Sequence, residues 1–154
     1  MEYLILKWIH ILSAILLFGT GLGSAFYKFF SDRSGNINAI AVTNRLVVIA
    51  DWMITTPTII IQPITGFWML SVANYAAIPD WIWLSLALYL FAGACWLPVV
   101  VLQIRMRDLA QQSMQSGQPL TAGYWRMARI WFWLGVPAFI SMVAVVWLMV
   151  LKTI

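Results

Sequence analysis

Apolar residues run in four long blocks, about Tyr3–Phe30, Leu46–Val72, Trp81–Ile104 and Tyr124–Leu151, separated by short polar stretches. Each block exceeds the roughly 20 residues that a helix rising about 1.5 Å per residue needs to cross a hydrocarbon core about 30 Å thick. The pattern predicts an all-α protein, a four-helix transmembrane bundle with antiparallel up-down topology, since short connections join neighbouring helix ends. They leave no room for a soluble domain, so residues 1–154 read as a single integral membrane domain. The first block is too long, and lacks the basic start, for a cleaved signal peptide.

Polar positions interrupt two of the blocks with helical spacing. At about 100° per residue, His10, Ser13, Leu17, Gly21, Ser24 and Lys28 share one side of the first helix. On the second, Asn44, Asp51, Thr55, Thr58, Gln62, Thr65 and Met69 do the same. Two such stripes on adjacent antiparallel helices are expected to face each other rather than lipid. One account is interhelical hydrogen bonding, averaging about 0.6 kcal/mol per contact; the other is a polar cavity or binding site. Pro57 and Pro63 favour a cavity, because each removes a helix hydrogen bond and disturbs the turn before it. Carbonyls freed in lipid need new partners, and Thr55, Thr56 and Thr58 are placed to bridge the break. Pro98 and Pro137 are expected to disturb the third and fourth helices in the same way.

Two residues in these stripes carry chemistry. A carboxylate at the centre of a membrane helix costs about 2.5–3.5 kcal/mol on insertion scales, so Asp51 requires a partner, water or a role. Depth along the helices predicts a buried ion pair between Asp51 and Arg129, with Arg126 or Arg105 as substitutes. His10 is the only histidine. It lies ~10 Å inside the outer end of its helix, with Gln62 at comparable depth on the second. Imidazole is the commonest protein ligand of haem iron, which makes His10, Gln62 and Met69 a candidate cofactor site. One histidine excludes bis-histidine ligation in a monomer. Ligation then needs His10 with Met69 or another weak donor, an open site, or two His10 across a homodimer.

Composition supports membrane residence. Of 154 residues, 63% are hydrophobic and 9% charged, against about 25% charged in soluble domains; the surplus apolar surface must meet a lipid bilayer. The net charge of +4 does not indicate nucleic acid, because the basic residues sit at helix ends. Lys28, Arg33 and Arg45 flank the first connection and Arg105, Arg107, Arg126 and Arg129 the third, against only Lys7 and Lys152 on the other side. The positive-inside rule places those connections in the cytoplasm of a bacterial inner membrane, with both termini outside. Tyr3, Trp8, Tyr75, Trp81, Trp83 and Trp147 read as an outer aromatic belt, and Tyr27, Tyr124 and Trp125 as an inner one. Trp96, Trp131 and Trp133 lie deeper.

The first connection, Ser31–Asn36, reads as a turn. The third, Gln111–Thr121, follows an extension of the third helix and contains Gly117 and Pro119. Cys95 is the single cysteine and excludes an intrachain disulfide. No cysteine–histidine metal set, nucleophile triad or phosphate-binding glycine loop is present, which excludes hydrolase, kinase and nucleic-acid roles.

Lys7-Trp8-Ile9-His10-Ile11-Leu12, the glycine-rich Phe18–Ser24, Ala50-Asp51-Trp52 with Gln62-Pro63 and Gly66, Trp96-Leu97-Pro98 followed by Gln103 and Arg105-Met106, and Trp133–Pro137 together resemble a known set. They are similar to the bacterial predicted integral membrane proteins gathered as domain-of-unknown-function family 2269, over nearly the whole chain. That resemblance implies four membrane helices and no particular activity. More distantly, the Lys-x-x-His-Ile start is similar to HemJ-type protoporphyrinogen oxidases and CopD-like copper-resistance membrane domains. This implies haem b held by His10 and, if the protein is an enzyme, a haem-dependent oxidoreductase. The expectation is an accessory or small-ligand-binding membrane protein, alone or with a membrane-complex partner. The alternatives are a haem-binding redox protein and a small transporter or proton-conducting module.

Overall fold

A computed structural model describes residues 1–74 and 77–151. Two expectations, Tyr75 in the aromatic belt and Lys152 as a topology charge, fall outside the described residues. Helix α1 spans Glu2–Ser34; α2, Ile37–Ala50, runs through a wide turn at Asp51–Thr55 into α3, Thr56–Ala73; α4 spans Asp80–Ser116 and α5 Ala122–Leu151. Among the described residues there are four stretches long and apolar enough to cross a membrane: Glu2–Ser34, Ile37–Ala73, Asp80–Ser116 and Ala122–Leu151. There is no strand among them. The protein is all-α.

The chain divides into two compact units, residues 1–76 and 77–154. In the first, α1 ends on Gly35, whose φ of 66° is the left-handed cap that glycine adopts without a Cβ penalty. Asn36 then caps α2, its side chain accepting from the amides of Asn38 at 3.0 Å and Ala39 at 3.2 Å. The expected six-residue turn is therefore far tighter. Helix α2 starts well before Leu46 because a capped helix continues past the apolar block that spans lipid. Ile40, Ala41, Val47 and Val48 bury its inner face, and α1 packs in turn against α2, the wide turn and α3. Asn74, at φ 53°, closes α3 in the left-handed conformation that asparagine tolerates.

The second unit is a helical hairpin of α4 and α5. Gly117, φ 66°, ends α4, and Thr121 caps α5 by accepting from the Tyr124 amide through Oγ1 at 3.4 Å. Buried positions on α4 recur every seven residues at Ser85, Ala92, Val99, Met106 and Ser113, with Gln103 and Ala110 between them. On α5 the pairs Tyr124 and Trp131, and Ser141 and Leu148, keep the same interval. That is the repeat with which two helices stay in contact along a shallow left-handed crossing. Helices α4 and α5 run on through Pro98 and Pro137. Ser141 donates to the Pro137 carbonyl at 2.8 Å.

Candidate functional site

The two polar stripes of the first unit meet. Trp68 Nε1 donates to Glu2 Oε1 at 2.9 Å, Gln62 Nε2 to the His10 carbonyl at 2.9 Å, and Ser13 Oγ to the Thr58 carbonyl at 3.3 Å. Residue numbers fall on α3 as they rise on α1, so the helices are antiparallel with a fixed register. The bonds interlock: Gln62 Nε2 also donates to Ser13 Oγ at 3.2 Å, and that hydroxyl donates to the Thr58 carbonyl. His10, Ser13, Thr58, Gln62 and Thr65 are all buried, where an unmet polar group is strongly destabilising.

At the N-terminal end of this seam, His10 Nδ1 lies 2.7 Å from Thr65 Oγ1. Threonine has one hydroxyl proton, and Oγ1 is also 2.7 Å from the Ile61 carbonyl and 3.2 Å from that of Gln62. With the proton given to Ile61, Oγ1 accepts from Nδ1–H, and the neutral ring keeps its lone pair on Nε2. Gly66 lets the ring lie against α3: a Cβ there would sit 3.6 Å from His10 Cε1.

Farther along the seam is the wide turn. Thr56 donates its N–H to the Asp51 carbonyl, five residues back, and its Oγ1 reaches the same oxygen at 2.9 Å. The cause lies at the next position, since Pro57 has no N–H and its ring would clash with the carbonyl four residues before it. Thr58 Oγ1 donates to the carbonyls of Ile54 at 2.8 Å or Thr55 at 2.9 Å, so Thr56 and Thr58 both bond to carbonyls of the wide turn itself. Asp51 is 6% exposed, and its Oδ1 accepts from Thr55 Oγ1 at 2.9 Å. Wide helical turns of this kind are frequent at functional positions.

Met69, Arg126 and Arg129 are the remaining expected site residues. Met69 is half-buried on α3, one turn beyond Thr65 on the same stripe. Arg126 and Arg129 are exposed on α5 of the second unit, whereas Asp51 belongs to the first. Of the deep tryptophans, Trp131 is buried, Trp96 half-buried and Trp133 exposed. Sequence reasoning takes Lys28 both for a topology charge and for a member of the polar stripe of the first helix. It is fully buried, paired with Asp32 across one turn at 2.9 Å. The i, i+4 spacing of Lys28 and Asp32 is the signal that could have found it. Among the described residues, no group of three or more His, Cys, Asp or Glu side chains could hold a metal ion.

A family model, described as predicted integral membrane protein (DUF2269), matches residues 4–153. The chain belongs to that family. The match takes in both units, and with them the His10 seam, the wide turn and the α4–α5 hairpin. The family's description agrees with the four membrane-length helices and assigns no activity. No curated protein and no solved structure matches the chain.

Proposed function

We propose that this family member is a small-ligand-binding protein of the bacterial inner membrane, holding its ligand at His10 where α1 meets α3. One observation carries the reading: the Nδ1 contact to Thr65 orients the ring and leaves Nε2 as the donor. Ligating histidines are held in this way, through the ring nitrogen that does not bind. Haem b is the ligand this donor suits, since neutral imidazole is a common ligand of haem iron. His10 would bind the iron, Thr65 fixes the imidazole, and Gln62 ties α3 to the backbone at His10. Met69 would be the chain's own second donor, with His10 of another copy in a homodimer as the alternative. Bound haem would supply one-electron redox chemistry.

The absorption spectrum of protein purified from haem-replete cells tests this. A Soret band is expected, lost in His10→Ala and kept in Cys95→Ala, a change in the other unit. A flat wild-type spectrum overturns the haem assignment. The basic residues around the first and third connections support an orientation with both termini outside. A C-terminal reporter active only in the periplasm should then be active, and a silent one reverses the orientation.

A second reading, a small transporter or proton-conducting module, draws on a different observation. Polar side chains continue along the seam from His10 through Thr65, Gln62, Ser13, Thr58 and Thr55 to Asp51. Proteoliposomes with an internal pH dye test it: ion-driven acidification that Asp51→Asn removes supports conduction, and wild-type vesicles no leakier than empty ones exclude it.

A further inference from the structure

The α4–α5 hairpin carries three arginines that the His10 seam does not use. Arg105 on α4 and Arg126 and Arg129 on α5 are all exposed. Among the described residues none of the three makes an ion pair. From residue 81 to 151 the sequence holds one acidic side chain, Asp108, and Arg107 takes it at 2.7 Å. The second unit thus offers these three charges no carboxylate.

Their depth follows from the chain. No charged residue lies between Asp80 and Arg105 on α4, or from Ile130 to Leu151 on α5. Arg105 and Arg129 therefore stand where the two apolar stretches end, at the level of lipid headgroups. The chain reverses between Ser116 and Ala122. Counted from the middle of that reversal, Arg105 and Arg129 differ by about four residues, or about 6 Å along the helices. Arg126 is one turn nearer the reversal and, at i, i+3, a surface neighbour of Arg129.

The arginines also share a side. The seven-residue repeat sets Gln103, Met106 and Ala110 of α4 and Tyr124 and Trp131 of α5 in the seam. Arg105 and Arg126 each fall about 120° from their own seam and, the helices of a hairpin being antiparallel, on the same flank. Ile130 and Trp133, both exposed, lie on that flank between and beside them. Guanidinium groups bind phosphate oxygens in a fork. A free phosphate would use the arginines alone, whereas an amphiphile also covers the apolar side chains next to them.

We infer that this flank of the α4–α5 hairpin binds an anionic phospholipid, with its phosphate held by Arg105, Arg126 and Arg129 and its acyl chains laid along Ile130 and Trp133. The site lies in the second unit and does not depend on what His10 binds. Full-length protein in detergent micelles is titrated with dioleoylphosphatidylglycerol or dioleoylphosphatidylcholine while thermal unfolding is followed. A lipid that binds the folded state raises Tm, so phosphatidylglycerol should raise it saturably and phosphatidylcholine should not. Arg105→Gln, Arg126→Gln and Arg129→Gln should each weaken the apparent affinity roughly fivefold, and the triple variant should lose the response. Replacing Arg33 and Arg45, exposed arginines of the first unit, by glutamine should preserve it. Equal responses to the two lipids overturn the inference. So does a response that the triple variant keeps, or one that the Arg33 and Arg45 variant loses to the same extent. Inorganic phosphate reproducing the shift at equal concentration overturns the lipid as ligand. If the triple variant does not fold, undiminished affinity in all three single variants overturns the site.

Discussion

The Thr65 hydroxyl sits 2.7 Å from His10 Nδ1 while lying 2.7 Å from the Ile61 carbonyl of its own helix. One oxygen therefore serves as donor along α3 and acceptor across the seam. The lone imidazole is anchored by this contact rather than by Gln62, which takes the His10 backbone.

Thr65→Val keeps the shape of the side chain and deletes the acceptor. It should strand the buried Nδ1–H and cost about 1–3 kcal/mol, read as a lower thermal midpoint in detergent. Thr65→Ser should recover most of the loss. If valine matches wild type, the ring does not depend on this oxygen.

Gln62 and Ser13 are coupled through the 3.2 Å bond between them. A double-mutant cycle with Gln62→Leu and Ser13→Ala should give a coupling near the ~0.6 kcal/mol average for membrane interhelical hydrogen bonds. Strict additivity would mean that the pair contributes nothing to the seam.

Gly66 tests the fit of the ring against α3. An alanine Cβ at 3.6 Å from His10 Cε1 makes an ordinary contact, so Gly66→Ala should leave stability within about 0.5 kcal/mol. Gly66→Leu should displace the imidazole and cost about 1–3 kcal/mol by overpacking. Equal effects of the two, measured by thermal unfolding, would show that the ring lies elsewhere.

The Lys28–Asp32 pair should respond asymmetrically. Lys28→Met removes a buried charge and keeps its packing, whereas Asp32→Asn leaves the ammonium buried without its carboxylate. Asp32→Asn should therefore be the more destabilising, by about 1–3 kcal/mol. The opposite order in urea or heat unfolding would refute a neutralising role for Asp32.

In the second unit, Ala92 is buried at one step of the seven-residue repeat, while Ala94, two residues on, is exposed. Ala92→Leu should overpack the seam and cost about 1–3 kcal/mol. Ala94→Leu makes the same chemical change where lipid accommodates it, and should stay within about 0.5 kcal/mol. Thermal midpoints of the two variants make the comparison; equal shifts would refute the repeat as a packing seam.

Much of the first unit is legible in the chain. Helical spacing puts His10 and Ser13 on one face and Thr58, Gln62 and Thr65 on another, and these faces do bond to each other. Pro57 marks a disturbed turn, and hydroxyls of the threonines around it bond to oxygens of that turn. Hydropathy misses the start of α2, because Asn36 caps a helix outside the apolar block and capping is local chemistry that a hydrophobic window averages away. It also takes Lys28 for a topology charge, whereas helical spacing puts Lys28 on the polar stripe with His10 and Ser13, and it is buried there.

The sequence by itself determined that this is a membrane protein of four long helices, because the length and apolarity of a segment decide whether it can cross lipid without any knowledge of its neighbours. It determined as well which polar residues share a face, because that follows from about 3.6 residues per turn. Only the tertiary structure decided that Thr65 rather than Gln62 meets the imidazole, and that the Gln62 amide takes the His10 carbonyl instead. Both outcomes depend on small shifts in register and on which acceptor one proton chooses. Those are settled by local packing, where neighbouring turns and helices meet, and not by the spacing of residues along one helix.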